Sequence, residues 1–214
     1  FAGTYGNPTT VKNLSSTSYT GTLTNGIIFN PAGYLEFDGD DDYVEMGTIG
    51  TNDPLQLSSP SGGGMTVEFW VNFDGVGDSS QRIIDKSSSG GAIDGWCALT
   101  VGGGATPVGM CINGTCNEMN SSSNFTQGVW QHWTFTWIES SGAWVWYLNA
   151  SSDNTGTKTW SIPNVSTSAR LGSWNHDTAR ELNGGLGEIR VYSRALTATE
   201  VSQNFNATRS KYGV

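Results

Sequence analysis

Positive charge is scarce in this chain. It carries 10 Lys and Arg against 19 Asp and Glu, a formal net charge of −9 with histidine neutral. Such a surface repels phosphate backbones and anionic headgroups, which argues against nucleic acid and acidic membranes as partners. Its plain role is a solvated face that keeps the protein dispersed. Long apolar runs are missing too. None approaches the ~20 residues that a bilayer-spanning helix needs, so membrane insertion is not expected. There are only 2 histidines, His132 and His176. Neither has a nearby Ser or Cys in the arrangement of a nucleophilic triad. Helix formers such as Lys, Glu, Ala and Leu are sparse, which suits strands joined by loops. The sequence shows no secretory leader pattern and starts at Phe1 rather than Met. A removed N-terminal piece or a longer parent chain is the expectation.

Turn residues are plentiful instead: Gly 29, with abundant Ser, Thr and Asn. A length of 214 residues fits a single domain over 1–214, with no linker and no fixed-period repeat. A domain of this size can bury ~70% of its unfolded surface, so a core without a cofactor is expected.

Strand periodicity is clearest over Met65–Phe73. Val67, Phe69, Val71 and Phe73 share one face; Thr66, Glu68, Trp70 and Asn72 share the other. Val129–Ile138 and Ala143–Leu148 read as an aromatic hairpin, with Trp133, Phe135 and Trp137 on one face. Further strands are expected at Thr9–Leu14, Gly21–Thr24, Ile27–Phe29, Tyr34–Phe37, Tyr43–Met46, Arg82–Asp85, Trp96–Val101, Val108–Ile112, Ala169–Trp174 and Leu186–Ser193. Residues 1–30 are thus N-terminal strands joining a sandwich. Residues 47–64 and 117–127 read as polar loops. A short helix is expected over 197–208. Thr197 and Glu200 form a T-x-x-E capping box, and Val201 and Phe205 make one apolar stripe.

The cysteines number 3: Cys97, Cys111 and Cys116. Cys111-Ile-Asn-Gly-Thr-Cys116 reads as a tight hairpin on an Asn113-Gly114 turn. Cys111 and Cys116 would then face each other about 4.5 Å apart at Cα, near enough for a disulfide. Cys97 is left over as a buried thiol, although its pairing with either of the others stays open. Zinc is disfavoured by the remote histidines and the ligand spacing.

Four motifs in order carry a family resemblance. They are Tyr34-Leu-Glu-Phe-Asp-Gly39 with Asp42-Tyr-Val-Glu45, then Met65-Thr-Val-Glu-Phe-Trp-Val71. Next comes Gly128-Val-Trp-Gln-His-Trp-Thr-Phe135 with Trp146-Tyr-Leu-Asn149, and last Gly187-Glu-Ile-Arg-Val-Tyr-Ser-Arg-Ala-Leu. Together they resemble laminin-G-like, or concanavalin A-like, jelly-roll domains over most of the chain. The resemblance implies an all-β fold: a two-sheet antiparallel β-sandwich with one short C-terminal helix. The run from Ser193 to Val214, with Thr22–Phe29, closely resembles laminin-G-like proteins encoded by marine bacteriophages.

Candidate site residues follow. Sandwich hydrolases use two carboxylates on one strand. The nearest string here is Glu36-Phe-Asp38-Gly-Asp-Asp41, where Gly39 suggests that the strand has already turned. Arg180-Glu-Leu-Asn183 faintly resembles an arginine motif of sandwich lyases, whose histidine and tyrosine motifs are absent. No catalytic set is assigned. Relatives often bind calcium through an aspartate at the start of the last strand, where this chain has Gly187. Asp38, Asp40, Asp41 and Asp42 form an alternative calcium site in one turn. His132 is expected as a hydrogen-bonded strand residue. Glycan contact is assigned to the rim loop Trp174, Asn175, His176 and Asp177, with Trp96, because an exposed indole can stack on a sugar face. The function expected is a non-enzymatic virion surface protein, a capsid decoration, fibre or tail component that holds host or environmental glycans. Its partners would be other virion proteins or copies of itself. The alternative is a secreted carbohydrate-binding module, or a sandwich-fold hydrolase or lyase.

Overall fold

A computed structural model describes residues 9–12, 20–50, 53–57, 63–75, 80–88, 94–102, 106–175 and 180–214. The strands in chain order are β1 (Thr10–Lys12), β2 (Thr20–Thr24), β3 (Ile28–Asn30), β4 (Tyr34–Asp38), β5 (Tyr43–Ile49), β6 (Gly64–Phe73), β7 (Arg82–Ser87) and β8 (Gly95–Thr100). They continue as β9 (Pro107–Ile112), β10 (Thr115–Asn124), β11 (Gln131–Ile138), β12 (Ala143–Leu148), β13 (Ser151–Thr157), β14 (Thr167–Leu171) and β15 (Asn183–Tyr192). One sheet has 8 strands in the order β1-β2-β5-β14-β7-β8-β9-β10. The other has 7 in the order β13-β12-β11-β6-β15-β4-β3. Both are antiparallel throughout and pack as a sandwich, as the alternation predicts.

The shared core takes its side chains from alternate positions of both sheets. Val67, Phe69, Val71 and Phe73 of β6 meet Leu35, Val44, Ile84, Ala98 and Leu171. Trp133, Trp137 and Trp146 are fully buried. A buried indole N–H gains from a hydrogen-bond partner. Trp137 donates to the Lys158 carbonyl at 3.1 Å and Trp146 to the Met119 carbonyl at 2.9 Å. Truncating any of these rings to Ala would cost about 3–5 kcal/mol.

Thr66, Glu68 and Trp70 on the polar side of β6 are buried as well, which binary patterning alone does not explain. A C-terminal layer covers them: α1 (Ala198–Thr208) and a short 3₁₀ turn over Arg209–Tyr212. The capping box forms as expected, with the Glu200 N–H donating to Thr197 and the Thr197 N–H donating to Glu200. Trp70 stacks on Tyr212 and Phe205 at 4.4 and 5.6 Å. Glu68 is 1% exposed and takes hydrogen bonds from Arg190, Tyr192 and Asn204.

Two loop expectations need correction, and two further features are new. Residues 117–127 are not a loop, since 115–124 form β10 on the edge of the larger sheet. Residues 151–157 add β13, the edge strand of the other sheet. Both runs are Asn- and Ser-rich because an edge strand has one unpartnered side and little core to contact. The 47–64 segment is not all surface loop, since Ile49 and Leu57 are buried beside a 3₁₀ turn over Pro54–Gln56. The Asn25-Gly26 and Asp38–Asp42 turns are crossovers. Each carries the chain from one sheet to the other, because β2 and β5 lie in the larger sheet and β3 and β4 in the smaller. Asn25 Nδ2 donates to the Asp41 carbonyl at 2.9 Å and ties the two crossovers together.

Candidate functional site

Cross-strand register lines up residues that are far apart in sequence. Thr22, Glu45, Arg170, Asp85, Cys97 and Cys111 are successive partners across β2, β5, β14, β7, β8 and β9. They lie on the outer face of the larger sheet, because their strand neighbours Val44, Leu171, Ile84 and Ala98 fill the core. One end of this row is open and the other closed. The side chains of Glu45 and Arg170 are 28% and 20% exposed, whereas that of Asp85 is 0%.

Arg170 is the hub of the open end. Its Nε donates to Glu45 at 3.0 Å and its Nη1 to the Trp174 carbonyl at 3.3 Å. Its guanidinium sits 4.0 Å from the Tyr43 ring centroid, in cation–π contact. The Arg180 guanidinium lies 4.5 Å over the Trp174 ring. Two arginines and two half-buried aromatic rings thus share one polar surface. At the closed end, Arg82 pairs with Asp85 at 3.1 Å, and Ser87 Oγ donates to Asp85 at 2.7 Å. Burial pushes the Cys97 thiol beside them up to about 12.

The rim-loop assignment divides. Trp174 is half-buried at the edge of this surface. Asn175 is buried, and its Nδ2 donates to the Ser87 and Ser168 carbonyls and to Thr167 Oγ1. It anchors the loop rather than facing solvent. Trp96 is fully buried in the core and donates its indole N–H to the Leu55 carbonyl at 3.0 Å. A glycan cannot reach it, so the sugar-stacking role is withdrawn. His176 and Asp177 lie outside the described residues.

The other candidates fall apart in space. A carboxylate oxygen from each of Asp38, Asp41 and Asp42 lies within 4.8 Å of the others, and Asp40 donates its N–H to Asp38. Glu36 is on β4 in the smaller sheet and accepts from Asn30. Glu181, Arg180 and Asn183 precede or begin β15. His132 is buried between Trp70 and Phe205, and its Nδ1 finds no partner among the described residues. Its backbone N–H donates to Asn149 Oδ1 at 2.9 Å, which ties it into the strand. At Gly187, a Cβ would stand 2.4 Å from Tyr212 Oη. The C-terminal layer fills the space that a side chain at this position would need. Cys111 and Cys116 form the expected disulfide, with Cα atoms 4.3 Å apart across a turn in which Asn113 and Gly114 have φ of 46° and 76°. Cys97 is free and buried.

Reasoning from sequence missed Tyr43, Glu45 and Arg170, and singled out Arg180 only as part of a lyase-like motif. A single Arg inside the apolar alternation Ala169-Arg170-Leu171 was the one available signal. Its partners come from register, which local sequence does not encode.

Residues 38–202 match the family model of the concanavalin A-like lectin/glucanases superfamily, Laminin_G_3, and the chain belongs to that family. No curated protein matches its sequence. Among solved structures it is similar to the native heptameric SAP-like pentraxin of Limulus polyphemus, at 16% identity, TM-score 0.59 and 79% coverage of each chain. It is also similar to domain 4 of AbnA, an extracellular arabinanase from Geobacillus stearothermophilus, in complex with arabinotriose. There the identity is 17% and the TM-score 0.59, covering 86% of this chain and 81% of that one. A mutant Trypanosoma rangeli sialidase matches at 12% identity and TM-score 0.67 over 97% of this chain, which spans only 32% of the enzyme. At these identities the likeness is one of fold.

Proposed function

We propose that this member of the concanavalin A-like superfamily is a non-catalytic glycan-binding domain displayed on a virion surface as a capsid decoration, fibre or tail component. The observation that carries the binding role is the partly buried Arg170, 20% exposed, between Tyr43, Glu45 and Trp174 on the outer face of the larger sheet. Arginine offers a planar fork of donors suited to vicinal hydroxyls or a sugar carboxylate. Half-buried rings beside it offer faces for C–H stacking. Such a surface makes shallow contacts, and many copies on one particle would supply avidity that a single site lacks. The virion role rests on the likeness of Ser193–Val214 and Thr22–Phe29 to marine phage proteins.

Two measurements test this. Labelled protein on a glycan array should bind a defined set of glycans, and the bound polysaccharides should release no reducing sugar. An antibody against the protein should decorate purified particles from the source material. Finding the protein only as a free soluble species would end the virion reading and leave the binding reading standing.

One observation favours a second reading, a secreted carbohydrate-binding module or sandwich-fold hydrolase or lyase. The similar arabinanase domain is one part of an extracellular enzyme. Sugar release that disappears in Glu36→Gln or Glu181→Gln would establish the enzymatic form of it.

A further inference from the structure

The Asp38–Asp42 turn presents an electrostatic problem. Four aspartates crowd five positions at a crossover between the sheets. Among the described residues none of them makes an ion pair with Lys or Arg. Asp38 and Asp41 are exposed, so water can screen them. Asp42 cannot use that relief, being 2% exposed. Its Oδ2 accepts the Asp38 N–H at 3.1 Å, but its Oδ1 is buried with no hydrogen-bond partner. A buried carboxylate oxygen without a donor is costly, and its usual partners are a donor or a metal ion.

We propose that Asp38, Asp41 and Asp42 hold one calcium ion at the β4–β5 crossover, with the buried Asp42 carboxylate at the base of the site. The spacing fits the ion. Calcium–oxygen bonds of about 2.3–2.6 Å place opposed ligands about 4.6–5.2 Å apart. The three carboxylates each offer an oxygen within 4.8 Å of the others. Backbone carbonyls and water would complete the six to eight ligands that calcium takes. Asp42 leads directly into Tyr43 and Glu45, so the ion would also fix the start of β5 beneath the Arg170 surface. The inference stands on the turn's own geometry and does not depend on glycan binding.

The test uses the whole chain, stripped with a chelator and titrated with calcium chloride in a calorimeter. One ion per chain is expected, with a dissociation constant between about 10⁻⁶ and 10⁻³ M. Calcium at a hundredfold excess over that constant should raise Tm by roughly 5–10 °C. The exposed-side double variant Asp38→Asn/Asp41→Asn should fold and lose at least tenfold in affinity. Asp42→Asn should weaken binding in the same way. No heat and no Tm shift with calcium up to about 10 mM would overturn the site. So would an equal response to calcium and magnesium that survives in the double variant, since that is diffuse screening of an acidic protein.

Discussion

The hydroxyl of Tyr212 occupies the space that a side chain at Gly187 would need: a Cβ built there lies 2.4 Å from Oη. The same hydroxyl accepts the Glu188 N–H at 2.8 Å, and the ring stacks on Trp70. The C-terminal layer is therefore keyed to the last strand by a missing side chain. Gly187→Ala should destabilise the fold by about 1–3 kcal/mol through overpacking, seen as a Tm lower by roughly 2–10 °C. In a Tyr212→Ala background the same change should cost far less, because the two residues share one space. Additive losses in a urea-unfolding cycle would disprove the contact.

Cysteine accessibility gives a second prediction. Cys111 and Cys116 are bonded, and Cys97 is fully buried with its thiol pushed up to about 12. A thiol reagent should therefore find no reactive group in the native protein. It should find one after denaturation without reductant, and three after reduction. Breaking the bridge with Cys111→Ser/Cys116→Ser should cost about 2 kcal/mol in the chain-entropy estimate for so short a loop.

His132 sets an acid limit on stability. Burial, with Arg190 nearby as the lesser cause, lowers its imidazole to about 3 from an ordinary 6.5. The unfolded chain takes up this proton near 6.5, while the folded chain resists until about 3. Between those values the unfolded state binds more protons, so stability falls as pH falls, by at most about 1.4 kcal/mol per unit. The contribution is fully present above 6.5. Denaturation of the wild type between about pH 7.5 and 4.5 should show a loss about 2 kcal/mol larger than in His132→Phe. Carboxylates act alike in both proteins, so equal losses would contradict this assignment.

The elements legible in the sequence were those with an apolar alternation or a paired signal. The β6 pattern, the aromatic β11–β12 hairpin and the Thr197/Glu200 box all matched. The edge strands β10 and β13 were not legible, since polar edges carry no burial pattern. The second layer over Trp70 and Glu68 was hidden for a related reason: period-2 alternation says which residues share a face, not whether that face meets solvent. The site followed the same division. Trp174 was reachable as an aromatic in a rim loop, whereas Trp96 looked equivalent and proved to be core. Arg170 and Glu45 are 125 positions apart and meet only through β5–β14 register.

The proposed binding face is tested most directly by glycan-array binding of the wild type beside Arg170→Ala and Trp174→Ala, with Tyr34→Ala on the opposite sheet as the control. All variants should first show wild-type thermal unfolding to within a few degrees. The account predicts that the wild type and Tyr34→Ala bind the same glycans, while Arg170→Ala and Trp174→Ala lose at least tenfold, or about 1.4 kcal/mol. Undiminished binding by both face variants, or loss confined to Tyr34→Ala, would contradict it.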